Sequence, residues 1–238
     1  MKDIVDLKVT QIRLYPVDVL PISGLLLEKN LAPFRETLRF KTATRPDEKQ
    51  EVFALDLLGG EIEYEGKVHL IERLAIGRQR LMVSVFGTST VADIVYEAVS
   101  KILMAADPDG AFPKTEPYVK VEETSCVVTL DVDFRNFFAP ALLQFFDKTV
   151  RSRTSSKVAA SDVMPFKFSV RVSYDLLDPD LKKVGVQLVD KTLTIEPRIR
   201  TRLEERRYYT QSPTDSETHL ALLREFEKIL GRRRQVKR

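Results

Sequence analysis

The chain has 238 residues and 27.3 kDa, with 43% hydrophobic and 31% charged residues, which suits one large domain or two modest ones around a substantial core. No run reaches the roughly 18 to 20 consecutive apolar residues of a membrane-spanning helix, and the opening MKDIVDLKVTQIRLYP has no signal-peptide core. A cytoplasmic location without a membrane partner is therefore the expectation.

The formal net charge of +3 is unevenly placed. Residues 195–238 hold 12 Lys+Arg against 7 Asp+Glu, which leaves 26 against 28 in residues 1–194. Such asymmetry points to an anionic partner or simply to solubility.

Along the chain, Val5, Leu7 and Val9 alternate with polar neighbours, so residues 4–15 read as a strand. A short helix is expected near residues 23–38, interrupted by Pro33. Beyond the polar stretch 41–50, three strands are expected near 51–58, 61–75 and 78–87, with Gly59-Gly60 and Gly77 close to the joins. The spacing of Val91, Ile94, Val95, Ala98 and Ile102 predicts a helix over 91–105, with Thr90 as N-cap and Asp93 three residues on.

Residues 107–117, with three prolines and a glycine, form the clearest boundary, since they continue neither a helix nor a central strand. Behind it a strand is expected over 118–134 and a helix over 137–150, starting close to Asn136 and Pro140. The polar stretch 151–162 precedes strands near 165–175, 184–196 and 199–210. The last helix is expected over 215–230, with Thr214 and Glu217 as a capping box, Leu220, Leu223, Phe226 and Leu230 as its apolar face, and Gly231 as its stop.

The fold class is thus α+β, with two similar β-α-β-β-β-α halves, 1–106 and 118–231, a connector at 107–117 and a basic tail at 232–238. An offset of 124 residues relates Ile71-Glu72 to Ile195-Glu196, Arg78 to Arg202 and Thr90 to Thr214. If this reflects a duplication, the halves pack about a pseudo-twofold axis with antiparallel sheets on one side and helices on the other. The layout resembles TATA-box-binding-protein-like saddles, which also combine two repeats of curved sheet and helices. The resemblance is one of element order and implies no function.

Three candidate sites emerge. Phe137, Phe138, Leu142, Phe145 and Phe146 make a helix so broadly apolar that it must be covered on more than one side. It is either a central helix between the halves or an interface to a protein partner or a second copy. Arg198, Arg200 and Arg202 fall at period two, with Arg207, Tyr208 and Tyr209 nearby and Arg232, Arg233 and Arg234 in the tail. Arginines beside aromatics can engage phosphates and bases, so nucleic acid is the alternative partner, while Glu196, Glu204 and Glu205 offer plain salt bridging. Asp131 and Asp133, with Asp175, Asp178 and Asp180, could hold a divalent metal, although Leu130, Val132 and Phe134 also read as a buried face that leaves the aspartates outside.

For catalysis the sequence offers little. His69 and His219 are the only histidines and sit in different halves, and no phosphate loop, dinucleotide fingerprint or nucleophile elbow occurs. Cys126, the single cysteine, lies in the apolar run Cys126-Val127-Val128 and reads as a buried structural thiol. The expectation is a non-enzymatic interaction protein without a cofactor, metal or catalytic residue; nucleic-acid binding is second, and a divalent-metal hydrolase or nuclease third.

Overall fold

The alternation at the start of the chain produces a long strand, β1 (Lys2–Leu14), which holds the middle of the molecule. The computed structural model describes residues 1–25, 30–44, 55–107, 110–152, 165–175, 177 and 189–235. The other strands are β2 (Thr42–Thr44), β3 (Leu55–Tyr64), β4 (Lys67–Ile76), β5 (Arg80–Phe86), β6 (Val119–Thr129), β7 (Phe168–Val172), β8 (Lys191–Pro197) and β9 (Arg207–Ser212). The helices are α1 (Ile22–Leu25), α2 (Ala32–Leu38), α3 (Ser89–Ala106), α4 (Pro140–Ser152) and α5 (Ser216–Gln235).

The described strands form one nine-stranded sheet in the order β2-β3-β4-β5-β1-β6-β9-β8-β7, antiparallel throughout. Both halves therefore contribute to a single sheet, joined where β1 pairs with β6 from Leu14↔Val119 to Lys2↔Thr129.

Side-chain alternation assigns the two long helices to one face of this sheet. Val9 is fully buried and lies opposite both Val85 and Thr124, and Thr124 lies opposite Ser212. On that face Gln11 reaches Asp93 of α3, while Thr210 and Ser212 reach His219 of α5. The N-termini of α3 and α5 cap each other: Ser89 N–H donates to Ser216 Oγ at 3.0 Å, and Ser216 N–H donates to Ser89 Oγ at 2.9 Å. Ser89 Oγ in turn donates to the Glu122 carboxylate at 2.8 Å, which places an anion where two helix dipoles point their positive ends.

The first core is built from Val9, Phe34, Leu38, Leu74, Val83, Val95 and Leu103, each at most 1% exposed. The second is smaller among the described residues and gathers Cys126, Val128, Phe134, Ile195, Tyr208 and Leu223. Burying one such side chain is worth about 2 kcal/mol, so among the described residues the first half holds more of the apolar stabilisation.

Several local expectations are corrected. Gly59-Gly60 lies inside β3 rather than at its end. The hairpin turns instead at Glu65-Gly66, both at positive φ (52° and 70°), as a two-residue type I′ loop requires. Gly60 serves a close approach, since a Cβ there would lie 2.7 Å from the Phe40 ring and 2.8 Å from the Leu38 carbonyl oxygen.

α3 begins at Ser89, one residue before the expected cap Thr90. At α5, Asp215 rather than Thr214 caps the first turn, accepting from Thr218 N–H at 2.9 Å and from Thr218 Oγ1 at 2.7 Å. These bonds hold the Asp215 carboxyl below its ordinary range. Gly231 does not stop α5, which continues to Gln235 through the backbone of Arg232, Arg233 and Arg234.

Candidate interaction surface

The aromatic segment divides into two parts. Residues Phe134–Phe137 form a short 3₁₀ turn whose first N–H groups are met by Asp133, which accepts from Arg135 N–H at 2.9 Å. Phe134 is 2% exposed and stacks on Tyr208 at 5.9 Å between ring centroids. Phe137 packs against Phe134, Phe168 and Phe226, and Phe138 meets Phe134 edge-on. Of the five candidate interface residues, Phe137 and Phe138 are therefore half-buried members of the second core.

Pro140 then starts α4, as suits a residue with no N–H to leave unpaired in a first helical turn. Along α4, Leu142, Phe145, Phe146 and Val150 follow the i, i+3, i+4, i+8 spacing of one face. They are 44%, 60%, 46% and 40% exposed. Leu143, Asp147 and Thr149 are half-buried. The helix thus turns an apolar stripe outward and is not sandwiched between the two halves. Phe145 and Phe146 touch edge to face at 5.5 Å, an apolar pair presented to solvent.

The same half exposes other large apolar side chains. Phe166 and Val170, 55% and 45% exposed, belong to the segment of the edge strand β7. Val170 lies opposite Leu193 and two residues from Phe168, so it shares the helix-bearing face and the side of the sheet on which the Phe137–Phe168–Phe226 cluster sits.

The arginines take a different arrangement from the expected strand over 199–210. β8 ends at Pro197, and the chain turns through residues 198–206, with Arg200 and Arg206 at positive φ (67° and 53°) and a 3₁₀ turn at Leu203–Glu205. Period two consequently does not put Arg198, Arg200 and Arg202 on one sheet face. Arg198 lies 3.6 Å from Asp6, Arg206 pairs with Asp131, and Arg200 and Arg202 are exposed in the loop. Arg207 is the first residue of β9, opposite Thr129. The side chains of Arg232, Arg233 and Arg234 lie outside the described residues.

The proposed aspartate pair also separates. β6 ends at Thr129, so Asp131 and Asp133 occupy the following turn rather than one strand face. Asp131 pairs with Arg206, and Asp133 caps the 3₁₀ turn. Asp178 and Asp180 lie outside the described residues. Among the described residues no group of three or more His, Cys, Asp or Glu side chains is arranged to hold a metal ion.

Cys126 and His219 share a buried polar cluster that the sequence did not reveal as one. His219 is 1% exposed; its Nδ1 pairs with Ser212 Oγ at 2.7 Å and its Nε2 with Thr210 Oγ1 at 2.9 Å. Cys126 Sγ lies 3.2 Å from Thr210 Oγ1 and 3.6 Å from His219 Nε2. Burial pushes the imidazole down to about 4, so it is neutral at pH 7, and burial pushes the thiol up. A neutral imidazole and a protonated thiol, both closed to solvent, serve packing better than nucleophilic chemistry. His69 stands apart, with Nδ1 3.2 Å from the Phe86 carbonyl oxygen.

Among the described residues no helix is long and apolar enough to cross a membrane. Compared with known proteins, the chain matches no protein family, no curated protein and no solved structure.

Proposed function

We propose that this chain is a non-enzymatic interaction protein that associates through the outward face of α4, with a second copy as its first partner. The observation that carries the reading is the stripe Leu142, Phe145, Phe146 and Val150, each at least 40% exposed on the surface of α4. Phenylalanines left in water gain about 2 kcal/mol each when fully covered, and aromatic residues dominate the energetics of protein interfaces.

The reading also accounts for the contrast between the halves. The first half leaves only aliphatic side chains such as Val17, Val68 and Leu70 among its exposed large apolar residues, whereas the second leaves the phenylalanines Phe145, Phe146 and Phe166 accessible. A twofold pairing of one helix face with itself needs no second kind of surface, which makes self-association the simplest form of the proposal.

Sedimentation velocity of the intact chain and of a Phe145→Asp, Phe146→Asp double variant tests it. The intact chain is expected to sediment as a dimer or larger at micromolar concentration, and the variant as a folded monomer. A variant that unfolds would assign the two rings to the core instead. Equal masses would remove α4 as the contact.

A further inference from the structure

The described sheet ends in two edge strands, β2 and β7, and they are built differently. β2 is three residues long, and a very short edge strand offers little to pair with. β7 has five residues without proline or glycine, and it pairs with β8 in an unbroken register from Phe168↔Ile195 to Val172↔Lys191. Its other side leaves a row of backbone donors and acceptors that a further strand can take up.

The sequence around this edge alternates without a break. Phe166, Phe168, Val170, Val172 and Tyr174 are apolar or aromatic, whereas Lys167, Ser169, Arg171, Ser173 and Asp175 are polar. Within β7, period two places Phe168, Val170 and Val172 on the helix-bearing face and Ser169 and Arg171 on the other. Phe168 is held inward by the rings of Phe137 and Phe226. Phe166, Val170 and Tyr174 are each at least 36% exposed, and they are spaced evenly about Val170. Phe137 shortly precedes Pro140, so α4 starts at the same border of the molecule.

We propose that β7 pairs antiparallel with β7 of a second copy about a twofold axis at Val170, joining the two sheets into one. The proposal rests on the α4 reading and gives its geometry. The axis stands perpendicular to the joined sheet, so the helix-bearing faces of both copies lie on one side and both α4 helices rise from it. The strand itself selects this occupant, because it is complementary to its own reverse. Centring on Val170 sets Phe168 opposite Val172 and Ser169 opposite Arg171, and all five residues of β7 take part. An axis at Arg171 would set two arginines against each other, and one at Ser169 would set Lys167 against Arg171. Arg171 is already paired with Asp190, so no uncompensated charge enters the contact. Such a twofold contact closes at two copies.

Disulfide linking and sedimentation velocity of full-length variants test it. In this register the two Val170 Cβ atoms lie about 4.5–5.5 Å apart, whereas the two Ser169 positions are diagonal neighbours at about 7–8 Å. Under mild oxidation Val170→Cys should therefore form a linked dimer and Ser169→Cys, at an equally exposed position, should not. Cys126 is buried and stays out of the linking. Val170→Lys, which opposes two charges at the axis, should sediment as a folded monomer. Equal linking from both cysteine variants, or a Val170→Lys chain that keeps the dimer mass of the intact chain, would overturn the edge pairing and leave the α4 contact standing. A monomeric intact chain would overturn both. If Val170→Lys loses its fold, the contrast between the two cysteine variants decides alone.

Discussion

Acidification should destabilise this protein through His219 before its carboxylates take part. The imidazole sits between Thr210 and Ser212 in the second core, 1% exposed, with a folded-state value of about 4 against an ordinary 6.5. Because the folded value is the lower one, the unfolded chain takes up a proton first as the pH falls. Stability is therefore intact above the ordinary value of 6.5 and is lost as the pH drops towards the folded value of about 4. The full shift corresponds to about 3 kcal/mol, of which about 2 kcal/mol is already lost near pH 5.

Urea unfolding of the native chain and of His219→Gln, measured between about pH 7.5 and about pH 5, isolates this contribution. Asp93, Asp215 and Glu227 are all held below their ordinary range, so their losses begin at lower pH and are common to both proteins. The stability advantage of the native chain over the variant should shrink by about 2 kcal/mol across that interval. Parallel pH profiles for the two proteins would refute the reasoning, because a histidine that titrates normally in the folded state contributes no such difference.

Further expectations follow from single side chains. Cys126 is 1% exposed and its thiol is pushed up by burial, so an aromatic disulfide reagent should label it only as the protein unfolds; rapid labelling at neutral pH would place it at the surface. Gly60→Ala should cost about 2 kcal/mol, because the added methyl meets the Leu38 carbonyl oxygen as well as the movable Phe40 ring; an unchanged urea midpoint would contradict that geometry. With Arg198 near Asp6, only Arg200 and Arg202 of the arginine trio stand exposed in the loop, so replacing all three by Ser should change the salt slope of any DNA or RNA binding by at most about 2. A larger change would promote the nucleic-acid reading.

The sequence was informative where local pattern and tertiary role coincide. The alternation at Val5, Leu7 and Val9 lies within β1, and of the expected helical stripe Val91, Val95 and Ile102 lie on the buried face of α3, whereas Ile94 and Ala98 are half-buried. It misled where a pattern has two readings. Period two at Arg198, Arg200 and Arg202 fits a strand, but Pro197 ends β8 and two residues at positive φ turn the chain. Gly59-Gly60 looks like a turn, yet its second glycine answers the close approach of Phe40, which only the folded chain creates.

The candidate surfaces divide in the same way. The helical spacing in the aromatic segment was visible, but which face turns outward depends on Phe137 and Phe138 rooting the segment in a cluster with Phe168 and Phe226 from distant parts of the chain.

The outward stripe of α4, proposed as a contact surface, is tested by measuring mass against concentration for the intact chain and for Phe145→Asp, Phe146→Asp, with circular dichroism on the same samples. The expected result is concentration-dependent association of the intact chain and a monomeric variant with an unchanged spectrum. A monomeric intact chain, or a variant that loses its fold, would contradict it.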